Sequence, residues 1–512
     1  MRRRIGIDVG GTNTDAVLLE EDAVVASVKT PTTADVTGGI TRALAGLLER
    51  APAARQAQAV MIGTTHFTNA VVQRRDLDRI AAVRIGLPSG ASLPPFVDWP
   101  EDLAAMVRGE VVMLEGGHEF DGRPLVPFDA AGMREAARRF RRAGIRSVAV
   151  AAVFSPLNAA GEEDAAAILR EEIPDVAVTL SHRLGRIGLL ERENAALLNA
   201  CLVRLAMKTT RAFTTALRAS GIEAPLYLTQ NDGTVMLAEV AETYPVYSFA
   251  SGPTNSMRGA AFLSKRDEAL VIDVGGTTTD IGSLRHGFPR EANNVVEIGG
   301  VRTLFRMPDL LSLGLGGGTR VATDPSLAIG PSSVGFRLTE EARVFGGDVL
   351  TITDVAVAAG LIDLGDKKRV AALPPALVEA VLARVRAMIE EGVDRMKTEA
   401  GDVPLIAVGG GSFLVPPRLA GVSEVLSVPH QSVANAVGAA IAQVSGEVDQ
   451  IFQDLSRDEA IARAQRAAED KAVAAGADRA TINVVEMEDL PLSYLPGNSL
   501  RTRVRVVGEI AR

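Results

Sequence analysis

The sequence predicts an α/β protein in which two related domains face one cleft and a small αβ appendage follows them. Three observations carry this expectation. The octapeptide DVGGTNTD at residues 8–15 returns as DVGGTTTD at residues 273–280, with only Asn13 replaced, by Thr278. Each copy lies between short apolar stretches, 5–7 and 16–19 for the first, 269–272 and 281–284 for the second, which is the pattern of a β-hairpin closed by a glycine turn. At 512 residues and 47% hydrophobic content the chain is too long for one ordinary domain, and the copies are much too far apart for a solenoid repeat.

The expected divisions are 1–245, 246–455 and 456–512. In chain order, the first hairpin opens the protein. Residues 85–129 contain Pro88, Pro94, Pro95, Pro100 and Pro124 and are expected to be irregular surface structure. Residues 128–143 have helical spacing, with Arg138, Arg139, Arg141 and Arg142 on a solvated face; 148–154 is a buried strand, and 189–220 is a long helix that buries Cys201. After the second hairpin, a strand at 405–408 runs into Gly409, Gly410 and Gly411, and 432–444 is a helix of small residues. From Ser456 the tail gives an alanine-rich amphipathic helix to about residue 475, then strands at 481–487 and 501–507, all expected to pack on the second domain.

Composition excludes several classes. With 54 Lys+Arg against 63 Asp+Glu the net charge is −9, so no basic field gathers nucleic acid or an anionic membrane. No apolar run reaches membrane-spanning length. The single cysteine rules out an internal disulfide framework and any CxxC metal or redox site. Arg2, Arg3 and Arg4 are followed so soon by Asp8 that a signal peptide has no room, and a cytoplasmic location is expected. There is no Gly-Lys pair for a Walker A loop, no Gly-x-Ser-x-Gly elbow and no His-Glu-x-x-His. His66, His118, His182, His286 and His430 are scattered, leaving no His-x-His pair to seed a dinuclear metal centre.

What remains is phosphate chemistry. A tight Gly-Gly turn between strands aims backbone N–H groups and threonine hydroxyls at one concave surface, which gives Gly10, Gly11, Thr12 and Thr14 in the first copy and Gly275, Gly276, Thr277 and Thr279 in the second. Asp8 and Asp273 at the strand ends would repel phosphates unless a cation intervened, so they are the expected metal residues, holding Mg²⁺ through water. Asp15 and Asp280 close the octapeptides and are candidates for orienting an acceptor or a water, with turn capping as the alternative. The glycines of IAVGGGSF, Gly409, Gly410 and Gly411, would let the backbone approach a ring or ribose closely. The run GLGGGT at 314–319 is either a loop near the cleft or a packing device.

These pieces, in this order, resemble the phosphate 1, phosphate 2 and adenosine motifs of the superfamily of sugar kinases, heat-shock 70 chaperones and actin. A narrower resemblance spans most of the chain. IGIDVGGTNTDAVL, IGTTHFTNAVVQRR, the Glu191, Arg192, Asn199, Ala200 pattern, SGPTNSMRGA, VIDVGGTTTDIG and GGDVLTITD together resemble the A-type subunit of the hydantoinase/oxoprolinase family. The resemblance implies two ribonuclease H-like (actin-like ATPase) domains around a nucleotide cleft. It also implies ATP with Mg²⁺, a small cyclic-amide substrate opened after phosphorylation of its carbonyl oxygen, and a B-type partner subunit; an oligomer is expected. A small-molecule kinase, a carboxylase subunit and an ATP-driven scaffold are the alternatives.

Three other segments are weighed. Thr64, Thr65, His66, Thr68 and Asn69 lie between a strand and a helix, where His66 is either a general acid or a hydrogen-bonded structural histidine. Ser251, Gly252 and Pro253 start a helix that either points at the cleft or is merely capped. Glu115, His118, Glu119 and Asp121 are expected to be a solvated loop rather than a metal site. Against the family pattern, Leu311 and Leu313 stand before the glycine run where a histidine is usual, Leu190 replaces a tyrosine, and the chain is shorter than typical A-type subunits.

Overall fold

The computed structural model describes residues 2–32, 36–185, 187–292, 296–305, 307–324, 326–493 and 498–511. Its frame is a nine-stranded sheet in the order Asn483–Pro491, Leu500–Gly508, Val444–Phe452, Val235–Leu237, Leu226–Thr229, Ala59–Thr64, Arg3–Val9, Asn13–Glu20, Ala23–Pro31. Arg3–Val9 lies inside this sheet, antiparallel to Asn13–Glu20 and parallel to Ala59–Thr64. Such a strand is covered on both faces, which is why every residue from Arg4 to Val9 is buried, Gly6 and Asp8 included.

A second sheet runs Phe288–Pro289, Thr279–Arg285, Ala269–Val274, Val403–Val408, Val422–Ser427, with Leu310–Leu313 also paired to Thr279–Arg285. The first hairpin thus belongs to one sheet and the second hairpin to the other. Between the sheets the helices Ser251–Ser264 and Ala434–Ala440 cross in close contact, because each is notched by a glycine: a Cβ on Gly259 would lie 2.8 Å from the Ala434 carbonyl carbon, and one on Gly438 2.6 Å from that of Asn255.

A third, parallel sheet of Arg108–Glu115, Ile80–Leu87, Ser147–Ala152 and Ala177–Leu180 has its own core with helices Ala130–Arg142 and Ala160–Glu172. The 31-residue helix Leu189–Ala219 joins it to the large sheet, and two buried ionic groups fasten the join. Arg84 is bidentate to Glu193, and Arg192 donates to Ser155 Oγ at 2.6 Å and Ala152 O at 2.9 Å beside the buried Glu162. The arginines of Ala130–Arg142 are exposed as expected, Arg138 pairing with Glu172 and Arg139 with Glu110. Cys201 is buried.

Three expectations are corrected. Residues 85–129 are not simply irregular: they contain the helix Glu101–Val107 and the strand Arg108–Glu115, with Pro88, Pro94, Pro95 and Pro100 before the helix and Pro124 in the loop after the strand. The small-residue helix is Ala434–Ala440, and Val444 begins a strand instead of ending it. The tail packs on Val444–Phe452 of the second division, as expected, but that strand belongs to the large sheet and not to the second hairpin's sheet. Val444 pairs in parallel with Val235, and Leu500–Gly508 and Asn483–Pro491 then extend the large sheet by antiparallel pairing. The helix Arg457–Ala474, closed at Ser456 by a capping box with Glu459, lays Ala460, Ala464, Ala468 and Ala472 on those strands. Only side chains this small, over Gly446, allow so near an approach.

Among the described residues no helix is long and apolar enough to cross a membrane.

Candidate active site

Both octapeptides fold alike. Asp8 stands opposite Asp15 in the first hairpin and Asp273 opposite Asp280 in the second. Each turn is closed by the same backbone bond, Gly10 N–H to Asn13 O at 3.0 Å and Gly275 N–H to Thr278 O at 2.9 Å. Directly opposed residues of an antiparallel pair project from one face, so each hairpin delivers two carboxylates together. The four aspartates line a single cavity of ≈ 170 Å³ with Gly10, Gly11, Thr12, Gly275, Gly276 and Thr277. The turns nearly touch, since a Cβ on Gly276 would lie 3.0 Å from that of Thr12.

Gly409 and Gly410 form another wall, and at Gly409 glycine is required. Gly409 has φ +90°, and a side chain there would overlap Asp273 and the Val274 carbonyl. Gly411 faces away and donates its N–H to Val274 O at 2.7 Å. Thr14 and Thr279 are not brought to the cavity. Alternation along a strand turns them from the face that carries Asp15 and Asp280; both are buried, Thr14 against the Thr32 hydroxyl at 3.2 Å and Thr279 donating to Leu315 O at 2.7 Å. The 314–319 run supports the second turn from behind, with Gly317 N–H on Gly275 O at 3.1 Å and Gly318 N–H on Gly276 O at 2.7 Å.

Thr65, Gly252 and Pro253 line the cavity, so the helix start at Ser251 does point at it. Its two segments are tied together by the Ser251 hydroxyl, which donates to Thr64 O at 3.3 Å. His66 is not among the lining residues; its ring packs edge-on to Phe67, and burial lowers its pKa. Among the described residues no group of three or more His, Cys, Asp or Glu side chains is gathered as a metal site, the 115–121 loop included.

Lys29, Ser432 and Asn435 are the lining residues the sequence did not reveal. Lys29 sits across the strand pair from Asp15, its ammonium 2.6 Å from Oδ2. Asn435, in the first turn of Ala434–Ala440, donates to Asp8 Oδ2 at 3.4 Å. Asp280 accepts from the Ser312 hydroxyl on the neighbouring strand. Burial pushes Asp8 up to about 7, the charges of Asp15 and Asp273 push the same way, and Lys29 and Asn435 oppose them. Burial likewise lifts Asp280 to about 6 and raises Asp15 and Asp273. Four crowded carboxylates with one lysine call for a cation, and an all-oxygen set with no ready cluster of direct ligands fits Mg²⁺, which keeps most of its waters and takes one or two carboxylates plus phosphate oxygens.

Comparison with known proteins gives the family and the fold. A model of the hydantoinase/oxoprolinase N-terminal region matches residues 4–173 and the hydantoinase/oxoprolinase model matches 192–368; the chain belongs to this family. It is 25% identical over 470 residues to caprolactamase subunit alpha of Pseudomonas jessenii, covering 81% of this chain and 66% of that one. It is 26% identical over 394 residues to the acetophenone carboxylase gamma subunit of Aromatoleum aromaticum, covering 70% and 53%. The chain therefore spans about half to two thirds of the length of these curated relatives. The fold matches the crystal structure of the ATP-dependent caprolactamase from Pseudomonas jessenii at TM-score 0.79 and 20% identity, over 99% of this chain and 88% of that one. It also matches nucleotide-free acetone carboxylase at 0.73 and 17%, over 100% and 88%.

Not every family-like segment lines the cavity. In GGDVLTITD, Asp354 is buried as the capping-box partner of Thr351 and accepts from Val344 N–H at 2.7 Å. Arg192 and Asn199 are likewise engaged in the scaffold.

Proposed function

We propose that this protein is the ATP-using subunit of an enzyme that opens a small cyclic amide, such as a hydantoin, a lactam or 5-oxoproline. On this reading the lobes built on the two hairpins are the halves of an actin-like ATPase, and the cleft between them holds the phosphates of ATP. The observation that carries it is the convergence of Asp8, Asp15, Asp273 and Asp280, with two matched glycine turns, on one cavity.

The turns would grip the phosphates by backbone N–H groups, and Asp8 and Asp273 would hold Mg²⁺ through water. When bound, the ion neutralises charge on the phosphates and orients them. The γ-phosphoryl group passes to the amide carbonyl oxygen, whose carbon then accepts a water. With ADP released in the transfer, the C–N bond of that adduct breaks as the ring nitrogen takes a proton, leaving a ring-opened acyl phosphate, and a second water hydrolyses this to the acid and phosphate. Phosphoryl transfer of this kind asks for positioning and charge neutralisation. Thr65 and the Ser251 helix start border the same cavity and would bound the acceptor. A B-type partner subunit would supply what this chain lacks.

A second reading, a carboxylase subunit that phosphorylates a different carbonyl, is favoured by the relatives named as acetophenone and acetone carboxylase subunits. Assay of ATP hydrolysis against hydantoins, lactams, 5-oxoproline and simple ketones, with and without a B-type protein, tests both. Stimulation by a cyclic amide with one ATP consumed per ring supports the first. Ring opening without nucleotide refutes it, and stimulation by ketone with bicarbonate alone replaces it by the second.

A further inference from the structure

The two halves of the cleft match in their octapeptides but not in what meets the second aspartate of each. Asp15 faces Lys29 across the strand pair, and Asp280 faces the neutral hydroxyl of Ser312. Lys29 is the one cationic side chain among the described residues lining the cavity. Its side chain is 33% exposed while that of Asp15 is 9% exposed, so the lysine is the solvent-accessible member of the pair. Its charge reaches past Asp15 to Asp8 and Asp273. An ammonium has three donors, and one of them occupied by Asp15 leaves two for a ligand.

We propose that Lys29 contacts the terminal phosphate of the nucleotide bound in this cleft, and that Asp15 is a positioning residue that holds the lysine there. The inference rests on the nucleotide reading above and deepens it, because it orients the ligand. The terminal phosphate, which carries the greatest charge, lies at the first hairpin, where the cation is, and the inner phosphates lie toward the second. It also takes Asp15 out of contention for orienting the acceptor. Asp280, which has no cation partner among the described residues, is left for that role.

A plain structural role, an ion pair locking Ala23–Pro31 to Asn13–Glu20, predicts something different, and nucleotide discrimination separates the two. Binding of Mg²⁺ with ADP and with a non-hydrolysable ATP analogue is measured by calorimetry on the full chain, for wild type, Lys29→Met, Lys29→Arg and Asp15→Asn. Loss of a charge-assisted contact to the terminal phosphate weakens the ATP analogue about 10- to 100-fold. ADP affinity should stay within about twofold, Lys29→Arg should recover part of the loss, and Asp15→Asn should lower the ATP-to-ADP preference less than Lys29→Met does. An unchanged preference in Lys29→Met, or equal weakening for both nucleotides, overturns the proposal and makes the pair a strand lock. If wild type binds neither nucleotide, it is the nucleotide reading of the cleft that fails, a result distinct from wild-type binding with unaltered preference.

Discussion

Substituting Gly438 by alanine probes how the cleft is assembled without touching its chemistry. Gly438 is buried in the short helix Ala434–Ala440, where it faces the backbone of the helix Ser251–Ser264. A Cβ there would overlap the carbonyl oxygen of Asn255 and lie 2.6 Å from its carbon, whereas ordinary contact begins at 3.4 Å. No rotamer can relieve backbone against backbone, so the helices must part by the best part of an ångström. Overpacking costs about 1–3 kcal/mol, and a rigid contact puts this case at the upper end. Replacing a helical glycine by alanine returns about 1 kcal/mol, leaving a net loss of about 2 kcal/mol. The same displacement carries Asn435, one turn earlier, away from Asp8, whose bond at 3.4 Å has no slack. Urea unfolding with Gly401→Ala as the control measures the stability term, because nothing lies within 4 Å of a Cβ at exposed Gly401. Mg²⁺-dependent ATP hydrolysis measures the functional one. Equal unfolding midpoints for the two variants would refute the view that the glycine notch sets the helix crossing.

Three further outcomes are expected. Asp8→Asn should stabilise the nucleotide-free protein while abolishing ATP turnover. A carboxyl raised from 3.8 to about 7 is protonated in both states at acid pH, costs the folded state increasingly as pH rises between these values, and above them costs about 4 kcal/mol when ionised. Denaturation at pH 5 and pH 8 without Mg²⁺ should therefore show a gain that is larger at pH 8, and destabilisation at pH 8 would contradict the argument. Gly409→Ala, at φ +90° against Asp273, should lose most of its ATPase activity for a stability cost of about 1–2 kcal/mol, read from paired kinetics and melting. Glu193→Gln leaves the Arg84 guanidinium buried without its counter-charge and should cost about 3–5 kcal/mol in chemical denaturation, although the residue is outside the cleft.

The residues the sequence disclosed are those whose behaviour is local. A glycine turn between two apolar runs makes a hairpin whatever surrounds it, so the repeated octapeptide was enough to place Asp8 beside Asp15 and Asp273 beside Asp280. An alanine-rich amphipathic stripe was enough for the tail helix. Strand alternation is also local, and applied strictly it would have turned Thr14 and Thr279 away from the cavity once Asp15 and Asp280 were turned toward it.

What the tertiary structure alone decided depends on register and on contacts between distant segments. The tail joined the large sheet because Val444 found Val235 as its parallel neighbour, a pairing no local pattern specifies. Asn435 meets Asp8 only because two glycine-notched helices cross at the right height. Lys29 is the sharpest case. From the turn at Glu21 and Asp22 an unbroken ladder would set Val28 opposite Asp15. Val25 is left out of the pairing between Val24 and Ala26, and that bulge advances the register by one residue, so Lys29 arrives at Asp15 and the cleft gains its cation.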